Sequence, residues 1–307
     1  MTAALSGCGR SKNAGVSAVA RPGDYDGDGK ADLVVYRPSD QRWYTLPSGS
    51  NFTRGTSTLF GSLGDIPVQG DFDGDGKNDL AVYRPAPTSA NWSILQSGAG
   101  TLVAQRLGVS GDIPVPGDYD GDGTADVAVY RPSDGLWSIL ESSKKDAPAV
   151  TITLGLSTDV PVPADYDHDG RTDVAVFRPS SGVWYFVSSS SGDSRNRTRQ
   201  WGLNGDIPVP GDYDGDGQID FAVYRPSISV WYLLNSSANF KASAPIQWGL
   251  QNDIPVPADY DGDGHTDLAV FRPSNGTWYV LKSSTNFKDS ATVQWGLPND
   301  IPILGRR

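Results

Sequence analysis

Of the 36 acidic residues in this 307-residue chain, 35 are aspartate and only Glu141 is glutamate. Most of the aspartates fall into one short pattern. Asp24, Asp26, Asp28 and Asp32 stand at positions 1, 3, 5 and 9 of a loop with Gly29 at position 6. The same loop recurs with Asp71, Asp73, Asp75 and Asp79; with Asp118, Asp120, Asp122 and Asp126; with Asp165, Asp167, Asp169 and Asp173; with Asp212, Asp214, Asp216 and Asp220; and with Asp259, Asp261, Asp263 and Asp267. Alternate carboxylates in a tight turn converge on one point, a glycine permits the turn, and the residue at position 7 adds a main-chain carbonyl. That donor set is all oxygen and suits a hard divalent cation, calcium above all. Position 7 is Lys30, Lys77, Thr124, Arg171, Gln218 and His265 in turn. Position 12, where an EF-hand carries a bidentate Glu, is Val in all six copies, from Val35 to Val270, so the loop runs into a strand and is not an EF-hand. Six solvated Asp-Gly turns are the alternative, and they would crowd four like charges into nine residues. About six Ca²⁺, one per loop, are therefore expected, and they would move the formal charge from −11 to +1. Position 4 is Gly except for His168, which reads as a turn variant and not a ligand.

The elements that carry these loops follow from their spacing. The first Asp falls at 24, 71, 118, 165, 212 and 259, a step of 47 residues, and an Arg-Pro pair and an Asp before Ile/Val-Pro keep the same register. Within residues 206–252 the pattern reads as four short strands: Ile207 to Gly211, Phe221 to Arg225, Val230 to Asn235 and Pro245 to Trp248. Gly and Pro together number 58, too many for a helical bundle, and no stretch has helical periodicity. Four strands per unit is the size of one propeller blade, so the expected fold is all-β, a six-bladed β-propeller with repeats starting near 18, 65, 112, 159, 206 and 253. Residues 18–307 form the domain, and residues 1–17 precede it as a processed or flexible segment. With Cys8 as the single cysteine, no disulfide forms within the chain.

The unit resembles the FG-GAP or VCBS repeat of calcium-binding β-propellers, the family that includes the integrin α-subunit head. Phe60-Gly61, Trp201-Gly202, Trp248-Gly249 and Trp295-Gly296 carry the resemblance, with Tyr-Arg-Pro or Phe-Arg-Pro in place of Gly-Ala-Pro. It spans about residues 18 to 304 and implies a propeller with calcium in its loops. Integrin heads have seven blades where six repeats are counted here.

For function, the charge argues against nucleic acid, and no apolar run is long enough for a membrane helix. The expected role is an extracellular module, bacterial and at the cell surface, that binds or adheres to protein or glycan. The alternatives are a polysaccharide-active, lyase-like enzyme and a purely structural surface component. No catalytic residue is assigned, since one Glu and two His within the metal loops make a poor inventory. The repeated Trp reads as blade core. Each Arg-Pro arginine is expected to pair with the Asp 19 residues before it, except Arg37, which should meet Asp300 and close the ring. Asn51-Phe52, Asn239-Phe240 and Asn286-Phe287 share one loop position, and the three phenylalanines are weighed as an exposed partner patch against rings folded over their own blades. Leu5-Ser6-Gly7-Cys8 resembles a lipobox, which would make Cys8 a lipid anchor.

Overall fold

In the computed structural model, residues 21–191 and 197–304 are described; Cys8, the 1–17 segment and the expected domain start near 18 lie outside them. The described residues form six antiparallel sheets around a ring, each sheet one blade. Blade 2 shows the plan: Ile66–Gly70 lies innermost, then Asp79–Arg84, Asn91–Leu95 and, outermost, Leu102–Arg106. The aspartate loop joins the first strand to the second. In blades 3 to 6 the inner strand shortens to two residues, such as Ile207–Pro208 in blade 5. Proline chemistry explains the difference. Those blades carry a second proline, Pro116, Pro163, Pro210 or Pro257, where blade 2 has Gln69, and proline has no N–H to give the ladder. Pairing resumes beyond it as one bridge, Gly211 with Asp220 in blade 5.

In blade 5 the next strands are Phe221–Arg225 and Val230–Asn235, as the sequence predicts, and the outer edge is split by Pro245 into Lys241–Ala242 and Ile246–Gln247. Trp43, Trp92, Trp137, Trp184, Trp231 and Trp278 are all buried between blades. Each sits opposite a Tyr or Phe of the second strand, with ring centroids 5.1–5.6 Å apart. Each indole N–H also donates to the carbonyl of the linker leaving its own blade, as Trp184 does to Trp201 at 2.7 Å.

Blade 1 is completed from the far end of the chain. Its inner strand is Ile301–Pro302, which pairs with Leu33–Arg37 in the register the other blades use within themselves. Residues 21–23 form a turn ahead of the first metal loop. The C-terminal segment thus closes the ring, and Arg37 grips Asp300 with two hydrogen bonds of 2.8 Å.

The three phenylalanines also need correction. Phe52, Phe240 and Phe287 are half-buried and pack inward against the clusters between blades 6 and 1, 4 and 5, and 5 and 6. Positive φ values of 55–57° turn each ring onto the blade interface, so they form no exposed patch.

Candidate metal centre

In the loops three of the four aspartates lie close together. One oxygen each from Asp24, Asp26 and Asp32 lies within 4.8 Å of the others, and the same holds for positions 1, 3 and 9 in the second, fourth and fifth loops; in the third loop the close trio is Asp118, Asp120 and Asp122. Position 1 is held from inside its own loop: Asp24 accepts the Gly27 and Gly29 N–H groups at 2.6 and 2.9 Å. Position 9 roots the loop, since Asp32 accepts the Tyr25 N–H at 2.9 Å on one oxygen and the Ser48 N–H at 2.7 Å on the other. Position 4 lies in the left-handed region in every copy, from 59° at His168 to 84° at Gly262, which accounts for the glycines and for the histidine variant.

A second set of residues, which the loop motif alone does not reveal, completes the site. The hairpin between the third and outer strands folds over the loop. Ser48 donates its hydroxyl to Asp28 at 2.9 Å, and the Gly49 N–H reaches Asp26 at 3.0 Å. Ser97, Ser142, Ser189, Ser236 and Ser283 do the same for the position-5 carboxylates of their own loops. The signal was a Ser 16 residues after the ninth-position Asp, or 18 in the second repeat with its longer turn.

Neighbouring loops interlock around the ring. At five of the six junctions the position-1 carbonyl of one loop accepts the position-8 N–H of the next, as in Asp212 from Thr266 at 2.6 Å and Asp259 from Ala31 at 2.7 Å across the closure, and between the fourth and fifth loops Gln218 Nε2 donates to the Tyr166 carbonyl at 2.9 Å. Position-7 side chains lie across the neighbour's position 4. A Cβ at Gly27 would meet Lys77 Cε at 2.8 Å, one at Gly262 would meet Lys30 Cε at 2.6 Å, and one at Gly215 would run into His265. These side chains therefore bridge loops, and only the position-7 carbonyls remain as donors to a cation.

Burial sets the electrostatics. Asp32, Asp79, Asp126, Asp173, Asp220 and Asp267 are each pushed up to about 6, first by desolvation and further by the position-3 carboxylate of the same loop, against the pull of their hydrogen-bond donors. Asp24, Asp71, Asp118, Asp212 and Asp259 are raised for the same leading reason. Asp167 Oδ1, Asp214 Oδ1 and Asp261 Oδ1, all at position 3, are buried and have no hydrogen-bond partner. Buried carboxylate oxygens without a donor are costly, and a cation is the partner that such a concave, all-oxygen set fits.

On the opposite face, Arg84, Arg131, Arg178, Arg225 and Arg272 form two-point pairs with Asp65, Asp112, Asp159, Asp206 and Asp253, the expected partners. In four blades a tyrosine covers the guanidinium: Tyr44, Tyr185, Tyr232 and Tyr279 lie 4.0–4.4 Å from it, ring centroid to Cζ. The covered arginines are 18–22% exposed, whereas Arg131 and Arg84, which lack the ring, reach 31% and 48%. These pairs are framework, tying each linker to the blade it enters.

Ring and loops together define a class: a six-bladed propeller whose every blade carries an aspartate loop fit for a metal ion. A family model described as FG-GAP-like repeat matches residues 24–82, 71–129, 118–176, 165–223 and 212–270, and the chain belongs to that family. No curated protein matched it in sequence. Among solved structures, a streptogramin B lyase is similar with a TM-score of 0.54 and 10% identity, over 91% of this chain and 85% of that one. BBS1N, from its complex with ARL6DN, is similar with a TM-score of 0.51 and 13% identity, over 93% and 85%. At such identities the likeness is one of fold.

Proposed function

We propose that this chain is a calcium-stabilised binding module working outside the cell, a rigid ring that presents its surface to a protein or glycan partner. The observation that carries the metal is the set of buried, partnerless position-3 oxygens Asp167 Oδ1, Asp214 Oδ1 and Asp261 Oδ1. Carboxylates at positions 1, 3, 5 and 9 and the position-7 carbonyl would hold the ion. When bound, calcium supplies the positive charge that lets these acids stay ionised at close quarters. Sites of this kind suit the millimolar calcium of an exterior compartment. A framework role is supported by repetition: the loop recurs in every blade and is bonded to its neighbours. The side chains most apt for chemistry are likewise engaged, with Glu141 paired to Lys144 at 2.5 Å and the repeated arginines to their aspartates.

The test has two arms. With ~1 mM calcium and a Kd near ~0.1 mM, each site contributes about 1.4 kcal/mol, and six contribute about 8. Stripping the metal should therefore lower the Tm by on the order of 10 °C or more; an unchanged Tm in protein verified as metal-free would sink the calcium assignment. A glycan array beside a pull-down on native surface extract, each with and without calcium, checks the binding role. Capture in neither would refute it.

A further inference from the structure

The interface between blades 2 and 3 is left open where the 4/5, 5/6 and 6/1 interfaces are each closed by a phenylalanine. Between blades 2 and 3, on the metal-loop face, lies a cleft of about 750 Å³. Part of its lining is apolar, from Phe72, Ile94, Val103, Val127 and Leu140, and the rest is polar and charged, with Gln96, Gln105 and Asp146 beside Lys144, Lys145, Glu141 and the loop acids Asp73 and Asp122. The interface between blades 4 and 5 shows what fills this place elsewhere. There Phe240 inserts, 5.6 Å from the Phe221 ring and with the Arg199 guanidinium 4.4 Å from its own. By repeat position Phe221 corresponds to Val127, and Arg199 corresponds to Gln105, since each faces its blade's buried tryptophan across the outer ladder. Phe240 itself corresponds to Asp146. Asp146 keeps the left-handed backbone, φ 67° against 55° for Phe240, but is exposed and sends no ring into the groove. Phe52 and Phe287 close the 6/1 and 5/6 interfaces in the same way. The wall has also receded: Val127 stands for Phe221 and Ala125 for Ile219.

We infer that the cleft between blades 2 and 3 receives an aromatic side chain of a partner polypeptide, which supplies in trans what Phe52, Phe240 and Phe287 supply within the chain. The inference deepens the binding-module reading and rests on it. A flat ring fits because three sister grooves of the same plan are filled by one. The polar rim then suits the peptide backbone on either side of the ring, since Gln96 and Gln105 offer both amide donors and acceptors. Burial of an aromatic anchor in a preformed pocket is the usual centre of such an interface.

The probe is the chain's own plug as a capped hexapeptide, Ser-Ala-Asn-Phe-Lys-Ala, the sequence of residues 237–242. It is titrated into the calcium-loaded full chain by ligand-observed NMR, beside a Phe→Ser version and a simple pyranose. The Phe peptide should bind saturably and the Ser peptide at least ~10-fold more weakly. Asp146→Phe, which restores the internal plug, and Val127→Phe, which fills the wall as blade 5 does, should each abolish binding while leaving the Tm unchanged or higher. No saturable binding to the wild type, binding retained in both filled variants, or binding of the pyranose alone would overturn the assignment. Equal capture of a surface partner by wild-type and Asp146→Phe protein would also overturn it, and would leave the broader binding role standing.

Discussion

The ninth-position aspartates join loop, hairpin and solvent chemistry in one carboxyl group. Their folded value of about 6 stands above the ordinary 3.8, so the metal-free folded state holds more protons than the unfolded chain between those limits. The stabilisation from these protons is complete below 3.8 and is lost as the pH rises through 6. Metal-free protein should therefore lose Tm, by several degrees, between about pH 4 and about pH 7, whereas calcium-saturated protein should show no such loss, because the bound ion favours the ionised form. Scanning calorimetry on both forms checks this, and a metal-free Tm that climbs over that window would contradict the burial of these groups. At this scale the acids were legible because their spacing is chemically specific. Ser48 and its five counterparts were not, since serine is common in turns and its reach to Asp28 depends on a hairpin folding back across 20 residues.

At the scale of the element, the aspartate loop is shaped by its neighbour as much as by its own sequence. Gly262 at position 4 meets two constraints, a φ of 84° and the Lys30 side chain of the next blade lying against it. Gly262→Ala should cost about 1–2 kcal/mol from backbone strain alone. His168→Gly, at the equivalent position with φ 59°, should do the reverse and gain up to about 1 kcal/mol. Urea melts of both variants decide it; equal effects of the same sign would mean that position 4 is not what strains the loop. The glycine at position 4 could be read from the sequence, but its contact with Lys30 lies between blades and could not. The Asn-Phe hairpins show the same limit. Their shared position was visible, yet the inward turn of the rings comes from left-handed φ at phenylalanine, an uncommon conformation that no residue type announces.

For the whole molecule, closure rests on Ile301–Pro302 and the Arg37–Asp300 pair. Charge reversal at either partner should destabilise the ring by about 3–5 kcal/mol, because each single change leaves a buried like-charge pair. The double reversal should recover a large part of the loss, and strict additivity in that cycle would remove the pair from the closure. The 47-residue period made the blade count and strand order legible, and counting arginines against aspartates located the seam. Which segment supplies the inner strand of blade 1 does not follow from the period, because residues near 20 and near 302 fall at one repeat position. The C-terminal solution has a consequence in time. The outer strand of blade 1 ends at Leu59 and its inner strand begins at Ile301, 242 residues later. At ~5–20 residues per second of synthesis, the first blade waits roughly 12–50 s for its last strand. Throughout that interval the nascent chain carries Leu33–Arg37 as an unpaired edge, the feature most prone to joining another chain. Crowded ribosomes on one message would thus set the hazard of swapped rings, and slow, well-spaced translation would be the condition for monomers.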